Sequence, residues 1–519
     1  MLINVNVDKH IRPYHFKQSQ MEVLSFLWLS LVFIVYLYVQ FMARQKPRNN
    51  KGFKDYPLIG TLPEFLINRH RFLEWTTQVL GDCPTNTAIF SRPYKLYGVI
   101  TANPDNVEHI LKTRFDNYPK GEDFISLLKD FLGNGIFNAD GELWKVQRKI
   151  ASYEFSTRSL RNFIVEAVTF ELQTRLLPIL SKASHSNRVL DLKDLLERFA
   201  FDNVCKLAFN VDPACLGGDG TAGSEFMRAF EDAAVHSSGR FMSVLPLVWK
   251  TKKLLNIGSE RRLRKSIATV HEFADSIIRS RLESSHTTRG EDLLSRFIRT
   301  GDCSPEFLRD VVISFILAGR ETTSSGLNWF FWILSSRPNV RKRIRDEIER
   351  VRSANGGVGA FGYEELKEMQ YLHAAISESM RLYPPVPIDT LACLNDDVLP
   401  DGTRIEKGWF ISYHTYAMGR MESVWGKDST EFKPERWLEN GTYRAESVFR
   451  YPVFHAGPRM CLGKEMAYIQ MKSIAASVLE NFDIEALDKD TCPKHVLSLT
   501  LRIIGGLPVR VTLRDACYN

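Results

Sequence analysis

The chain has 519 residues, 44% of them apolar and 25% charged, which are the proportions of a folded protein with a large core and exclude a disordered or fibrous chain. Its 68 basic and 61 acidic residues leave a net charge of +7, too slight over this length to mark a nucleic-acid binder. Eight cysteines, none in C-x-x-C spacing, exclude a disulfide scaffold and the usual zinc or iron–sulfur sites, so any cysteine chemistry rests on a single thiol.

Residues 1–22 form a short polar segment. Val23 to Ala43 then runs without a charge, and at helical rise spans ~31 Å, about the hydrocarbon thickness of a bilayer. The run ends in Arg44-Gln45-Lys46-Pro47-Arg48 instead of a small-residue cleavage site, against a secretory signal peptide. It has no polar face, against an ordinary core helix. One N-terminal transmembrane helix over 23–43 is therefore predicted. Arg44, Lys46, Arg48, Lys51 and Lys54 follow it, against Lys9, Arg12 and Lys17 before it, a bias that places the remainder in the cytoplasm. Residues 44–63, with Pro47, Pro57 and Pro63, read as a stiff linker. No second linker and no internal repeat follows, so 64–519 is predicted to be one mainly α domain with a small β region.

Within that domain Phe124, Ile125, Leu127, Leu128, Phe131, Leu132 and Phe137 are apolar on every helical face, as core or as the lining of an apolar pocket. Trp144 and Arg148 follow, four apart on one helix face. The basic runs Arg261–Lys265 and Arg341–Arg345 lie in helical periodicity with acids nearby and read as solvated faces. A Ser304 cap with Pro305 at the first position opens a helix that stops before Pro338, about 32 residues and ~48 Å long. It carries Ala318-Gly319-Arg320-Glu321-Thr322-Thr323. A glycine there costs ~1 kcal/mol relative to alanine, and a hydroxyl (Thr322) beside a carboxylate (Glu321) suits a proton relay, although polar residues of a helix surface look the same. Val312 and Phe315 precede Gly319 by one to two turns as a second apolar wall, and Leu499 and Leu501 offer a third. Gly357-Val-Gly359-Ala-Phe-Gly362 matches a dinucleotide fingerprint, but it follows a charged helical run where that motif needs a strand, so it reads as a loop.

Glu378 and Arg381 stand three apart on one helix face, and Arg436 lies in Phe-Lys-Pro-Glu-Arg-Trp at 432–437. The sharpest signal is Phe454-His-Ala-Gly457-Pro-Arg459-Met-Cys461-Leu-Gly463. A thiolate at Cys461 can donate electron density to a haem iron, and Gly457 and Gly463 let backbone approach it closely. Amides at the start of the helix predicted from Leu462 to Asn481 can donate to the sulfur. Arg459 is placed for a haem propionate and Phe454 to pack near the sulfur. The bland alternative is an inert cysteine in a glycine-rich turn.

Taken in order, these four motifs make the chain from Pro57 onward resemble the cytochrome P-450 family. The resemblance implies a mainly α fold with a small β region and haem b held by Cys461. It assigns Trp144 and Arg148 to the second propionate, and Glu378, Arg381 and Arg436 to a buried brace behind the haem. It implies a monooxygenase inserting one atom of dioxygen into a C–H bond, with Thr322 and Glu321 as relay. With the anchor, it implies a lipid bilayer of the endoplasmic reticulum and electrons from NADPH through a separate NADPH–cytochrome P-450 reductase, which Lys145, Lys149, Lys464 and Lys472 could steer. At finer grain FDNYPKGEDF, DGELWKVQRK, ASYEFSTRSLRNF, YAMGRME and AGPRMCLGKEMAYIQMK resemble the plant fatty-acid ω-hydroxylase clan, near the branch that includes jasmonoyl-isoleucine oxidases. One departure is Leu391, where the resemblance expects a cation. The substrate expected is an amphiphile, a medium- to long-chain fatty acid hydroxylated at its far end. The alternatives are jasmonoyl-isoleucine, or a non-monooxygenase haem protein of the same fold.

Overall fold

The computed structural model describes residues 28, 30, 33, 52–57, 59–93, 96–155, 158–217, 223–243, 245–284, 292–300, 303–356 and 359–514. The charge-free run 23–43 falls outside them apart from three positions, and among the described residues no helix is long and apolar enough to cross a membrane. Phe53, in the last part of the proline-containing stretch, is buried against Phe65 and Trp75.

Short α1 (Leu62–Ile67) leads to the hairpin β1 (Thr87–Arg92) and β2 (Leu96–Thr101). The apolar segment forms α2 (Glu122–Leu132), and the Trp144 segment forms α3 (Gly141–Phe155). Next come α4 (Leu192–Phe209), α5 (Ser224–Gly239) and α6 (Pro246–Leu255). Asp191 caps α4 by accepting from the amides of Lys193 and Asp194, and Asn210 in the left-handed region ends it. The long helix is present as α7 (Pro305–Ile316), one π-helical turn at Leu317–Glu321, and α8 (Thr322–Ser335). Its start is the one predicted, with the Ser304 hydroxyl accepting from the Phe307 amide at 3.2 Å and Pro305 in the first turn.

After these come α9 (Gln370–Leu382), β3 (Asp389–Ala392), β4 (Phe410–Tyr413), α10 (Lys464–Asn481) and β5 (Leu501–Ile503). The main sheet has the order β1-β2-β4-β3, with β2 and β4 parallel and the other pairs antiparallel. From Tyr468 to Leu479 every residue of α10 is buried, so the helix has no solvent stripe and runs through the interior. One apolar core joins α8, α9, α10 and the sheet; a second lies beneath α2, α4, α5 and α7. Both basic runs lie on helices with their cations largely outward, while Leu263 and Ile344 face in. The Gly357–Gly362 stretch follows a helix, Pro338–Asn355, and no strand precedes it.

Candidate active site

The loop before α10 is closed by the Cys461 amide, which donates to the Phe454 carbonyl at 2.8 Å. Gly457 sits at φ +65°, and a Cβ there would overlap the Leu111 carbonyl oxygen. Its task is thus the approach of the loop to the turn at His109–Thr113, not an approach to the sulfur as the spacing suggested. Burial pushes the Cys461 thiol up, and the Gly463 amide, Arg148 and Lys464 counter this in part. The amide at the helix start is where the sequence expected a donor to sulfur. Cys461 is solvent-accessible and yet hemmed in by protein, which describes a concave site. Phe454 packs on Tyr468 with ring centroids 5.3 Å apart.

The basic and aromatic residues expected around this thiol converge on it. Arg459 lies over the Trp144 ring at 4.5 Å, and its Nη2 donates to Asp140 Oδ1 at 2.6 Å and to the Ala139 carbonyl at 3.0 Å. Its Nε is buried without a protein partner. Arg148 reaches across from α3 and donates to the Met460 carbonyl, next to Cys461. His455 Nε2 is likewise buried without a hydrogen bond, 3.4 Å from Asp389. An unused arginine donor beside an accessible thiol fits a thiolate-ligated haem with anionic propionates.

Leu391, the position where a cation was expected, is buried in β3 opposite Ile411. The nearby cation is instead Lys120, which holds Asp389 at 2.6 Å. A pair 269 positions apart carries no local sequence signal, and only the fold makes it visible.

On the far side, the π turn sits where Gly319 suggested a locally opened backbone. The glycine itself faces elsewhere: a Cβ at 319 would overlap Val204 of α4. One use of it is thus close helix packing, which the sequence did not indicate. Thr322 Oγ1 donates to the Ala318 carbonyl at 2.6 Å within the opened turn. Glu321 does not share that face. Its carboxylate accepts from Arg320 Nη1 at 2.7 Å and Thr500 Oγ1 at 3.2 Å, and Arg320 also holds Glu197 at 3.0 Å. The two relay candidates are thus adjacent in sequence but point apart. Glu321, Glu197, Ser324, Asn328, Thr500 and Arg502 line a small polar crevice, where Asn328 Oδ1 and Arg502 Nη1 have no protein partner, a setting that suits ordered water.

The brace is built as expected. Arg381 donates to both Glu378 oxygens at 2.7 and 2.8 Å, both side chains being fully buried, and Arg436 Nε adds a third contact at 3.5 Å. Trp437 Nε1 and the Lys433 amide also donate to Glu378 at 2.9 Å each, partners the E-x-x-R spacing did not reveal.

Of the predicted lining, Phe124, Leu128, Phe131 and Val312 fall in one buried cluster, with Phe315 and Leu499 packed against it. Phe137 is 41% exposed and lies outside that cluster. Leu501 belongs to the other core, its carbonyl accepting from Ser325 Oγ at 2.7 Å, so it braces α8. Lys472 is buried too, its ammonium pulled down to about 8 by burial against the partial offset of Glu347, and it cannot steer a partner. Lys145 and Lys149 are exposed, and Lys464 is half-buried 5.8 Å from the Phe454 ring.

A mainly helical domain that carries a cysteine loop before a buried helix, and a long helix opened by a π turn, has the parts of a haem-thiolate enzyme. The chain matches the Cytochrome P450 family model over residues 51–505. It is 53% identical to Cytochrome P450 CYP94D108 of Paris polyphylla, over 87% of this chain and 90% of that protein. It is 46% identical to Cytochrome P450 94A1 of Vicia sativa and 47% identical to Cytochrome P450 94B1 of Arabidopsis thaliana, in each case over 89% of this chain and 91% of the relative. The chain belongs to the cytochrome P450 family, whose members bind haem iron and act as monooxygenases.

Proposed function

We propose that this monooxygenase hydroxylates the terminal or near-terminal carbon of medium- to long-chain fatty acids. The carrying observation is the buried apolar cluster of Phe124, Leu128, Phe131 and Val312, extended by Phe315 and Leu499, which meets the helix that bears the π turn. Such a lining suits an alkyl chain, whose burial is worth ~0.8 kcal/mol per methylene. Bound haem supplies dioxygen activation. The protein's part is to hold the Cys461 thiolate with the Gly463 amide, to neutralise propionates with Arg148 and Arg459, and to place the Thr322 hydroxyl at the opened turn. Glu321 takes its protons from the polar crevice and has to leave Arg320 to pass them on.

The setting is the endoplasmic reticulum membrane with the catalytic domain in the cytoplasm. Beyond the charge-free run 23–43, Leu247, Leu254 and Leu255 stand exposed on α6 among Lys250, Lys252 and Lys253, the composition of an interfacial helix. Exposed Lys145 and Lys149 on α3, beside the thiolate loop, suit an acidic flavoprotein reductase. Reconstitution with NADPH–cytochrome P-450 reductase, offering lauric acid and jasmonoyl-isoleucine in parallel, tests the reading. The outcome expected is the terminal alcohol of laurate; oxidation of the conjugate with none of the fatty acid overturns it.

A further inference from the structure

Among the described residues, Lys120, Arg240 and Arg92 are three cations that border the apolar wall, and two of these are fully engaged. Lys120, stacked 4.8 Å from the Phe124 ring, is held by Asp389. Arg240 is shared between Glu260 and Asp130 and also donates to the Leu127 carbonyl. The third, Arg92 at the end of β1, is different. Among the described residues it has no carboxylate partner, its Nε is buried without an acceptor, and its one hydrogen bond runs from Nη1 to the Phe241 carbonyl at 3.5 Å. The Phe65 ring 4.5 Å away and the Phe90 ring 5.7 Å away attract the charge but accept none of its N–H groups. Burial pulls the guanidinium down to about 10, which leaves it charged at neutral pH. A desolvated, unpaired cation is unfavourable in a folded chain unless an anion arrives to pair with it. The place fits the arrival. The Phe241 ring, whose backbone Arg92 touches, packs 5.2 Å from Phe124, the first residue of the apolar wall. Arg92 is half-buried, so it remains reachable from outside.

We infer that Arg92 is the anchor for the carboxylate of the amphiphilic substrate, fixing the polar end while the alkyl chain lies along the Phe124 wall. This deepens the fatty-acid reading and rests on it only in taking the ligand to be an apolar chain with one carboxylate. A guanidinium fork matches a carboxylate with two parallel N–H···O bonds, which a lysine cannot do.

The test is titration of the haem-loaded full chain, followed by the substrate-induced shift of the Soret band, with lauric acid, methyl laurate and jasmonoyl-isoleucine with its methyl ester. Wild type is compared with Arg92→Met and Arg92→Lys, each first checked for an intact ferrous carbon-monoxide spectrum. Loss of a charge-assisted pair is expected to raise the laurate Kd of Arg92→Met by roughly 10- to 100-fold, with methyl laurate within about twofold and Arg92→Lys in between. Should Arg92→Met lose its haem, Arg92→Lys carries the comparison. Unchanged laurate affinity, or equal weakening for acid and ester, overturns the anchor and leaves the fatty-acid reading standing. Wild-type binding of jasmonoyl-isoleucine without laurate overturns the fatty-acid reading, and the acid-against-ester comparison on the conjugate then judges Arg92 by itself.

Discussion

The Thr322 hydroxyl stands at the π turn and donates back to the Ala318 carbonyl, the i−4 bond that a helical threonine commonly makes. A hydroxyl held this way at an opened backbone can pass on a proton, while Glu321, locked to Arg320 and Thr500, cannot do so without moving. Thr322→Ala is expected to leave substrate binding intact and to raise hydrogen peroxide formed per NADPH consumed. A product-to-NADPH ratio equal to wild type would rule out this role. For Cys461, the Gly463 amide and the neighbouring cations prepare the sulfur for a bond to iron that serine cannot reproduce. Cys461→Ser should therefore lose the strongly red-shifted Soret band of the ferrous carbon-monoxide complex, and retention of that band would point to another ligand.

Between elements, the closest approach argued above is that of α4 to the π turn. Val204 lies where a side chain at 319 would go, so the glycine is demanded by the neighbouring helix and not by its own backbone conformation. Gly319→Ala gains ~1 kcal/mol of helix propensity, but overpacking of this kind costs typically 1–3 kcal/mol. A net loss of up to about 2 kcal/mol is expected in chemical denaturation. Val204→Ala makes room, so the double variant should be less destabilised than the sum of the two single changes. Strict additivity would show that the two helices do not meet there. The Glu378–Arg381–Arg436 brace is a second case: Trp437 and the Lys433 amide complete the carboxylate's hydrogen bonds, which is what lets a buried ion pair persist without an unpaired charge.

At the scale of the molecule, the proposed membrane contact is separable from the haem pocket. Every residue around Cys461 and Thr322 named above lies between His109 and Arg502, well away from the run 23–43. Removing residues 1–43 is expected to release much of the protein from membranes while haem incorporation persists, as read by sedimentation with liposomes and by the carbon-monoxide spectrum. The binding that remains should fall further when Leu254 and Leu255 on α6 are replaced by aspartate, since those two side chains are 84% and 59% exposed. Loss of haem on truncation would contradict the separation.

Much of this organisation was legible in the sequence, because the features concerned are local. Helix starts follow from caps and prolines such as Ser304-Pro305, and the cysteine loop keeps its thiol, amide and arginine within ten residues. The brace was legible only through the family resemblance, since spacing puts Glu378 and Arg381 on one face of α9 but does not say that they are buried or meet Arg436. What only the tertiary structure decided are contacts between distant segments and the direction each side chain takes. Glu321 and Thr322 are neighbours in the chain, yet helix geometry sends their side chains to different faces. Gly319 and Gly457 look like room for a ligand in sequence, and each turns out to be room for another piece of backbone or a valine from elsewhere in the chain. Leu501 and Lys472 have the right chemistry and other surroundings than expected, since hydropathy indicates that a residue is buried or exposed on average but not against what. Arg92 gave no signal at all in sequence, because a cation becomes conspicuous only when folding takes away its water and brings it no counter-ion.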